Sequence, residues 1–403
     1  MRILGVSRCL PAHGYGGMQD IAWALYAGLV GRGHAVEVWT TSCPGRPPKE
    51  EREGVEIRYL PGAPPMDGGA AWGHALRAAA DGAAVRFDVI HSTSTAALPL
   101  LEGRPPPVVA TFHGTTYDEW ITTRWAGPDP LDPPLLRWVR WARRLRWARA
   151  QMRIQRWPGM PFDRVIATSA EQEAVLREVL GFPPERIRVV LNGPRIPPVP
   201  PGDAAALRGS LGLPASGPVL LAGSRWIHEK GLLDVLEVHR ELLADGVRAH
   251  LALLGEGPMA PLVRQRIRRD GTERHVTLPG KVPYDRLPAW YAASDAFLNP
   301  TRRRNGYDLS MVLAMAYGAV VLTYDQGSHR TLIEDGVDGF LLPPRDLRGM
   351  GGRLRRLLRS PESLARLRER ARAKVAEHFS PERMADRTEA VLREAVGERG
   401  GGS

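Results

Sequence analysis

Two series of short apolar segments, each alternating with helix-period segments, constrain the fold of this chain more than any other feature. Short apolar segments flanked by turn residues are typical of buried strands in a parallel sheet. Their alternation with helices predicts α/β units whose sheet is covered on both faces. The predicted strands lie at 3–7, 35–40, 55–60, 87–91, 108–112 and 165–168 in the first series, and at 219–222, 249–254, 276–278, 296–299, 320–323 and 340–342 in the second.

A proline- and glycine-rich stretch separates the two series. Four prolines lie close together in it, at 197, 198, 200 and 201, which is typical of a linker. The length of 403 residues also exceeds what one hydrophobic core usually serves. We therefore predict two Rossmann-like domains, with a ligand site expected in the cleft between them. The predicted boundaries are 1–195 for the first domain, 196–215 for the linker, 216–380 for the second domain, and 381–403 for a C-terminal helix and flexible tail.

The composition narrows the class of protein and of partner. The formal net charge of +11 predicts an anionic partner, which nucleic acid, phosphorylated small molecules and acidic lipid surfaces would all satisfy. The only two cysteines, Cys9 and Cys43, fit neither a disulfide framework nor a zinc site, which suggests a reducing compartment. The N-terminus lacks a signal-peptide pattern, and no uninterrupted apolar run is long enough to span a membrane. These features predict a cytoplasmic protein.

The segment 222–231 combines two cations with a strand-to-helix transition. Arg225 offers a planar fork of donors for a phosphate, Lys230 offers a mobile point charge, and the helix that opens near Gly231 adds backbone donors. Lysine is rare here, occurring only at 49, 230, 281 and 374 among 55 basic residues, so its presence in this turn favours a specific role. A solvated turn with two surface charges explains the local pattern equally well.

Two features of the first series also lie where ligands bind in α/β sheets. Gly16 and Gly17 stand between a strand and a helix start, where they allow close backbone approach to a ligand. Their spacing is not that of the dinucleotide fingerprint, which argues against a nicotinamide enzyme. His113 follows the carboxyl end of a predicted strand. From its position alone, His113 could equally face a ligand or form a hydrogen bond with the local backbone.

The segment 137–156 is unusual because it holds eight arginines. Five apolar residues recur in it at three- and four-residue spacing, which predicts an amphipathic helix: Trp138, Trp141, Leu145, Ala148 and Met152. Such a helix can lie on an anionic lipid surface, which would place the protein peripherally at the inner membrane face. It can also pack its apolar stripe on the N-terminal sheet, and we favour that interpretation because most amphipathic helices do so. Nucleic-acid binding is the least favoured explanation, since no groove-binding or stacking context accompanies the helix.

Several separated motifs together resemble one family, the retaining glycosyltransferases of family 4, which have the GT-B architecture of two Rossmann-like domains facing a cleft. The resemblance covers nearly the whole chain, and the order and spacing of the motifs carry it. The motifs are Gly16-Gly17, Gly33-His34, Asp88 to His91, His113-Gly114, Ala167 to Ser169, Asn192-Gly193, Arg225 with Lys230 and Gly231, Gly255 to Pro258, Ser294-Asp295, and Glu334 to Gly336 with Gly339.

The resemblance implies a role for each matching residue. Arg225 and Lys230 would hold the diphosphate of a nucleotide sugar and stabilise the charge that develops as the glycosidic bond breaks. His113 would lie near the sugar hydroxyls. The reaction would retain the anomeric configuration by same-face attack, the leaving phosphate accepting the acceptor's proton, and no metal or other cofactor is implied. The remaining residues implied are Gly17, Gly255, Glu256, Asn305, Tyr307, Asp308, Leu309 and Leu313 on the donor and Gly16, Met18 and Tyr117 on the acceptor.

The chain departs from the family pattern at three positions. The family carries two glutamates eight positions apart, one for the donor sugar and one for the ribose, and here Asn305 and Leu313 stand in their places. A third family glutamate corresponds to Thr331. Asp308 is the nearest candidate to replace the ribose carboxylate. The departures leave three alternatives: a transferase with altered donor choice, a non-catalytic relative, or a different reaction on the same fold.

Overall fold

A computed structural model describes residues 1–14, 16–81, 86–103, 105–156, 160–201, 204–304 and 307–400. Contacts within the chain divide it into two compact units. Unit 1 comprises Met1–Thr115, Gln151–Arg195 and His378–Ser403, and unit 2 comprises Thr116–Ala150 and Ile196–Glu377. Residues 116–150 and 196–377 thus form one unit, although the sequence places 116–150 in the first domain.

The first half of the chain alternates strands and helices as its apolar periodicity predicts. Its elements are β1 (Arg2–Val6), α1 (Gly17–Gly31), β2 (Ala35–Thr41), β3 (Lys49–Arg52), β4 (Val55–Leu60), α2 (Ala70–Ala80), β5 (Val89–Thr93), β6 (Val108–Phe112), α3 (Thr116–Ala126), α4 (Arg137–Ile154), β7 (Arg164–Ala167), α5 (Ala170–Ala174) and β8 (Ile187–Val189).

The second half repeats the alternation and ends in three helices. Its elements are α6 (Ala204–Ser210), β9 (Val219–Gly223), α7 (Leu232–Ala244), β10 (His250–Leu254), α8 (Ala260–Arg269), β11 (Val276–Gly280), α9 (Leu287–Ala292), β12 (Ala296–Asn299), α10 (Leu309–Tyr317), β13 (Val320–Tyr324), α11 (His329–Leu332), β14 (Gly339–Leu342), α12 (Leu347–Leu358), α13 (Pro361–His378) and α14 (Pro381–Gly400).

Each unit contains one sheet. The strand order is β3-β4-β2-β1-β5-β6-β7-β8 in unit 1 and β11-β10-β9-β12-β13-β14 in unit 2. All neighbours run parallel except β3, which is antiparallel to β4. The chain order reverses direction at β1 in the first sheet and at β9 in the second, and ligands of open α/β sheets bind beyond the carboxyl ends of strands at such a reversal.

The two predicted parallel α/β sheets are confirmed, with local differences. The strand predicted at 87–91 is β5 at Val89–Thr93. Two strands escaped the sequence analysis: β3 reads Lys-Glu-Glu-Arg and has no apolar signal, and β8 spans only three residues. Among the described residues, no helix combines the length and the apolar character needed to cross a bilayer.

A separate core stabilises each unit. In unit 1, Trp39, Trp72 and Phe112 are almost completely buried between the sheet and its helices. In unit 2, Trp226 and Tyr324 are buried in the same way. The C-terminal helix α14 packs on unit 1, where a Cβ at Gly28 of α1 would touch the Cβ of Ala385.

Candidate active site

The turn between β9 and α7 contains both predicted phosphate ligands. After β9, Arg225 is exposed, and a short 3-10 helix from His228 to Lys230 leads to Gly231, which precedes α7. Gly231 has a φ of +68°, and a Cβ there would clash with the carbonyl oxygen of Pro300. Glycine is therefore required by both backbone conformation and space. Gly231 is the N-cap residue of α7 and has no side chain that could cap the helix. The start of α7 therefore presents backbone N–H groups beside Lys230.

Trp226 fixes this turn to the loop after β10. Its indole N–H donates to the carbonyl of Leu254 at 3.0 Å, and its backbone N–H donates to the carbonyl of Glu256 at 2.8 Å. At Gly255, with a φ of +109°, a Cβ would clash with the carbonyl oxygen of Ser224. The close approach therefore places Gly255 and Glu256 directly beside the turn that carries Arg225.

Lys230 lies among charged groups that act on it in opposite directions. Burial is the largest cause that lowers the pKa of Lys230, and the cations Arg303 and Arg225 lower it further. The carboxylates of Asp308 and Glu229 raise it, without restoring its usual value. The turn, with Arg303 and Asp308 from the segment between β12 and α10, combines three cations with two carboxylates in a partly desolvated position, which is a suitable environment for an added anion.

The first part of the loop after β12, residues 300–304, is bonded to this turn, and its arginines were not among the predicted site residues. The backbone N–H of Arg302 donates to the carbonyl of Glu229 at 2.7 Å. The Arg302 guanidinium forms hydrogen bonds of 2.9 and 3.0 Å to both carboxylate oxygens of Asp234 on α7, which also accepts from Tyr324 at 3.1 Å. The available sequence signal was the run Arg302 to Arg304 between a strand and a helix.

Tyr117, predicted to bind the acceptor, lies on α3, which packs against the same loop of unit 2. Arg304 bonds to Asp118 at 3.1 Å, its backbone N–H donates to Thr122, and its guanidinium lies 5.4 Å from the centre of the Tyr117 ring. At the C-terminal end of α3, the carbonyl of Ala126 lies 2.8 Å from Nε2 of His228. Cationic and hydrogen-bonding side chains thus hold both ends of α3.

Asp308 caps α10, and both of its carboxylate oxygens accept hydrogen bonds from unit 2. Its Oδ1 accepts from the backbone N–H and the hydroxyl of Ser310, and its Oδ2 accepts from the amide of Asn299 at 3.1 Å. Burial acts to raise the pKa of Asp308, but Lys230 and then His329, with the hydrogen bonds, lower it overall. Asp308 therefore acts as a buried anion facing Lys230.

The other residues predicted near the donor have different environments. Leu313 is buried within α10, and Leu309 begins that helix. Burial, with Asp308 and Tyr284, raises the pKa of Tyr307 well above its usual value, so this phenol stays protonated. Thr331 lies on α11. Asn305 lies outside the described residues.

Unit 1 places His113 beside a small cavity. Five polar residues line the cavity together with six apolar ones; the polar residues are His91, Thr111, His113, Asn192 and Thr388. Burial lowers the pKa of His113 to about 4, so its imidazole is neutral near pH 7. Gly16 precedes α1 in an extended conformation, Gly17 begins α1, and Met18 is partly exposed in its first turn.

Comparison with known proteins assigns the chain to a family. One family model, Glycosyltransferase Family 4, matches residues 15–194, and a second, Glycosyl transferases group 1, matches residues 217–360. The chain belongs to glycosyltransferase family 4. It is accordingly a retaining glycosyltransferase that uses a nucleotide sugar.

A curated relative and two solved structures accompany these matches. D-inositol 3-phosphate glycosyltransferase 1 of Catenulispora acidiphila is 28% identical over 390 residues, covering 90% of this glycosyltransferase and 87% of the relative. Sucrose-phosphate synthase from Thermosynechococcus elongatus has a TM-score of 0.79 at 19% identity, with 98% of this chain and 99% of that chain covered. Anabaena HepE, solved in complex with UDP-glucose, has a TM-score of 0.74 at 19% identity, with coverages of 98% and 100%. The structural likeness identifies the fold as GT-B.

Proposed function

We propose that this glycosyltransferase transfers a hexosyl group from a nucleotide diphosphate sugar to a hydroxyl of a small-molecule or lipid-linked acceptor. The observation that supports the proposal most is the β9–α7 turn. It places exposed Arg225 and partly buried Lys230 beyond the carboxyl end of the strand where the second sheet reverses direction. Burial lowers the pKa of Lys230 most, and the cations Arg303 and Arg225 lower it further, so the negative charge of a diphosphate there stabilises the ammonium form.

The proposed reaction exchanges one C–O bond for another on the same face of the sugar. The bond between the anomeric carbon and the diphosphate oxygen breaks, and its electron pair leaves with the diphosphate. The acceptor oxygen bonds to the anomeric carbon, and its proton passes to an oxygen of the leaving phosphate. Arg225 and Lys230 stabilise the charge that develops on that phosphate.

His113 suits a role at the sugar hydroxyls rather than at the leaving group. Since burial lowers its pKa to about 4, the imidazole carries no charge near pH 7. A neutral imidazole has one N–H donor and one acceptor nitrogen, which match a hydroxyl group. It adds no positive charge to the leaving phosphate.

The residues of unit 2 favour an unusual mode of ribose binding, without a carboxylate at position 313. Leu313 is buried and apolar, and the Asp308 carboxylate is bonded to Ser310 and Asn299. We infer that neither holds the ribose hydroxyls and that diphosphate contacts contribute more of the donor affinity than usual. UDP-glucose is the first donor to test because HepE was solved with it, and inositol phosphate is the first acceptor because the curated relative bears that name.

Turnover with two lysine variants tests the proposal. We expect Lys230→Ala to lower kcat by about 10²- to 10³-fold, as for loss of one group that stabilises a developing oxyanion. The matched control is Lys281→Ala, which removes an exposed lysine of the same unit and leaves turnover unchanged. Equal turnover of the two variants, measured by product mass and anomeric proton resonance, would refute the role of Lys230.

A further inference from the structure

Large apolar side chains are exposed on α4 and in the turn before it. The exposed fraction is 92% for Leu135, 57% for Trp138, 63% for Val139 and 57% for Trp147. We call these four residues the α4 patch. Single exposed apolar residues are common on protein surfaces, but two tryptophans with two aliphatic residues in thirteen positions indicate a surface that meets something apolar.

The α4 patch is separate from the side of the helix that packs on the protein. Ala148 is buried, Leu145 is half-buried, and the indole N–H of half-buried Trp141 donates to the carbonyl of Thr123 on α3 at 2.7 Å. Trp138 was predicted to share this covered stripe, and that prediction is wrong: its ring lies perpendicular to that of Trp141, and its side chain remains exposed. α4 therefore has both a covered stripe and an exposed apolar patch.

The charge around the α4 patch is strongly positive. The sequence from 133 to 162 contains eight arginines and no acidic residue. Within the described residues, the acidic partner of α4 is Asp132, which bonds to Arg140 at 2.7 Å and lies 3.7 Å from Arg144. Arg143, Arg146 and Arg149 are exposed and have no ion pair there. Val139, Arg143 and Arg146 follow one another at four- and three-residue spacing, so cations and patch residues share one face.

We propose that the α4 patch docks this glycosyltransferase on an anionic lipid surface. Tryptophan rings occupy the headgroup level of a bilayer, aliphatic side chains insert slightly deeper, and arginine stems extend toward lipid phosphates. Charge complementarity selects anionic over neutral lipid. Lipid suits the patch better than nucleic acid, because stacking on a base would use Trp138 and Trp147 and leave the aliphatic Leu135 and Val139 without an apolar partner.

Vesicle binding by the full chain, without donor or acceptor, tests the proposal. We expect binding to vesicles of phosphatidylglycerol and phosphatidylcholine that weakens as salt rises, and little binding to phosphatidylcholine alone. The variant Arg143→Gln, Arg146→Gln, Arg149→Gln should bind on the order of 100-fold more weakly. The matched control is Arg264→Gln, Arg268→Gln, Arg366→Gln, which removes three exposed arginines elsewhere and should bind as the unmodified chain does.

A second variant separates the apolar contribution from the charge. Trp138→Ser, Val139→Ser, Trp147→Ser keeps every arginine and should reduce vesicle binding at least about tenfold because it removes the inserted side chains. Donor-induced thermal shift and circular dichroism check that each variant is folded. Salt-independent binding, equal binding to neutral vesicles, identical behaviour of the two arginine variants, or displacement from vesicles by equimolar duplex nucleic acid would overturn the proposal. None of these outcomes bears on sugar transfer.

Discussion

At the scale of single residues, Lys230 and Asp308 form a pair of opposite charges beside the β9–α7 turn. The two side chains shift each other's pKa toward the charged form, while burial favours the neutral form of both. Since the pKa of Lys230 is lower in the folded chain, the unfolded chain binds its proton more strongly between the two values, and stability rises with pH in that interval. Asp308 acts in the same direction, because its pKa is also lower in the folded chain: its stabilisation exists above its unfolded pKa and is lost as pH falls through the lower folded value.

Replacement of Asp308 by asparagine is therefore predicted to shift donor binding on the alkaline side. Asparagine still caps α10 but no longer raises the pKa of Lys230, so the ammonium loses its proton at lower pH. We expect the alkaline limb of donor affinity to move to lower pH and the free energy of unfolding at pH 7 to fall by about 1–2 kcal/mol. Affinity measured from pH 7 to 10 for Asp308→Asn, with exposed Asp285→Asn as control, checks this. An unmoved limb would show that Asp308 does not act on Lys230.

At the scale of elements, α3 is held by side chains from outside its own sequence neighbourhood. Arg304 bonds to buried Asp118, and Arg345 donates to the carbonyl of Trp125 at 2.8 Å near the C-terminal end of α3. Cations at a helix C-terminus interact favourably with its dipole. These bonds explain why α3 groups with unit 2 although it follows β6 of unit 1 in the chain.

The bond between Arg304 and Asp118 is predicted to stabilise α3 locally. Arg304→Ala removes the cationic partner of a buried carboxylate, so we expect a loss of about 2–4 kcal/mol and faster hydrogen exchange over residues 116–126. A double-mutant cycle with Asp118→Asn should give a coupling energy of about 1–3 kcal/mol. The control Arg330→Ala breaks a more exposed pair with Asp325 and should cost less than about 1 kcal/mol. Equal exchange in both variants would contradict the prediction.

The sequence predicted those elements whose signal is local. Buried strands such as β4 and β6 were predicted at their observed ends, because an apolar run bounded by turn residues specifies both position and length. β3 was missed because an edge strand of charged residues leaves no apolar pattern. Arg303 was missed as a neighbour of Lys230 because one arginine among many carries no signal until β12 and β9 are adjacent.

At the scale of the whole molecule, this family 4 glycosyltransferase has two α/β sheets and a net charge of +11. Its positive charge is concentrated in at least two distinct places. The turn before α7 concentrates cations in a partly buried position, and α4 presents them in solvent beside tryptophans. Composition predicted an anionic partner but gave no means of separating these two surfaces. The degree of burial distinguishes the two surfaces. The partly buried turn before α7 suits a small anion held in one position, and the exposed helix α4 suits an extended anionic surface.

The difference in affinity between UDP and UMP tests the central claim most directly, namely that Arg225 and Lys230 hold a diphosphate. Calorimetric titration should show tighter binding of UDP to the unmodified chain, because UMP lacks the second phosphate. In Arg225→Ala, Lys230→Ala the preference should fall by at least about tenfold, whereas Arg264→Ala, Lys281→Ala should retain it, since one charge-assisted hydrogen bond contributes about 1.5–3 kcal/mol. An unchanged preference for UDP in the first double variant would contradict the account.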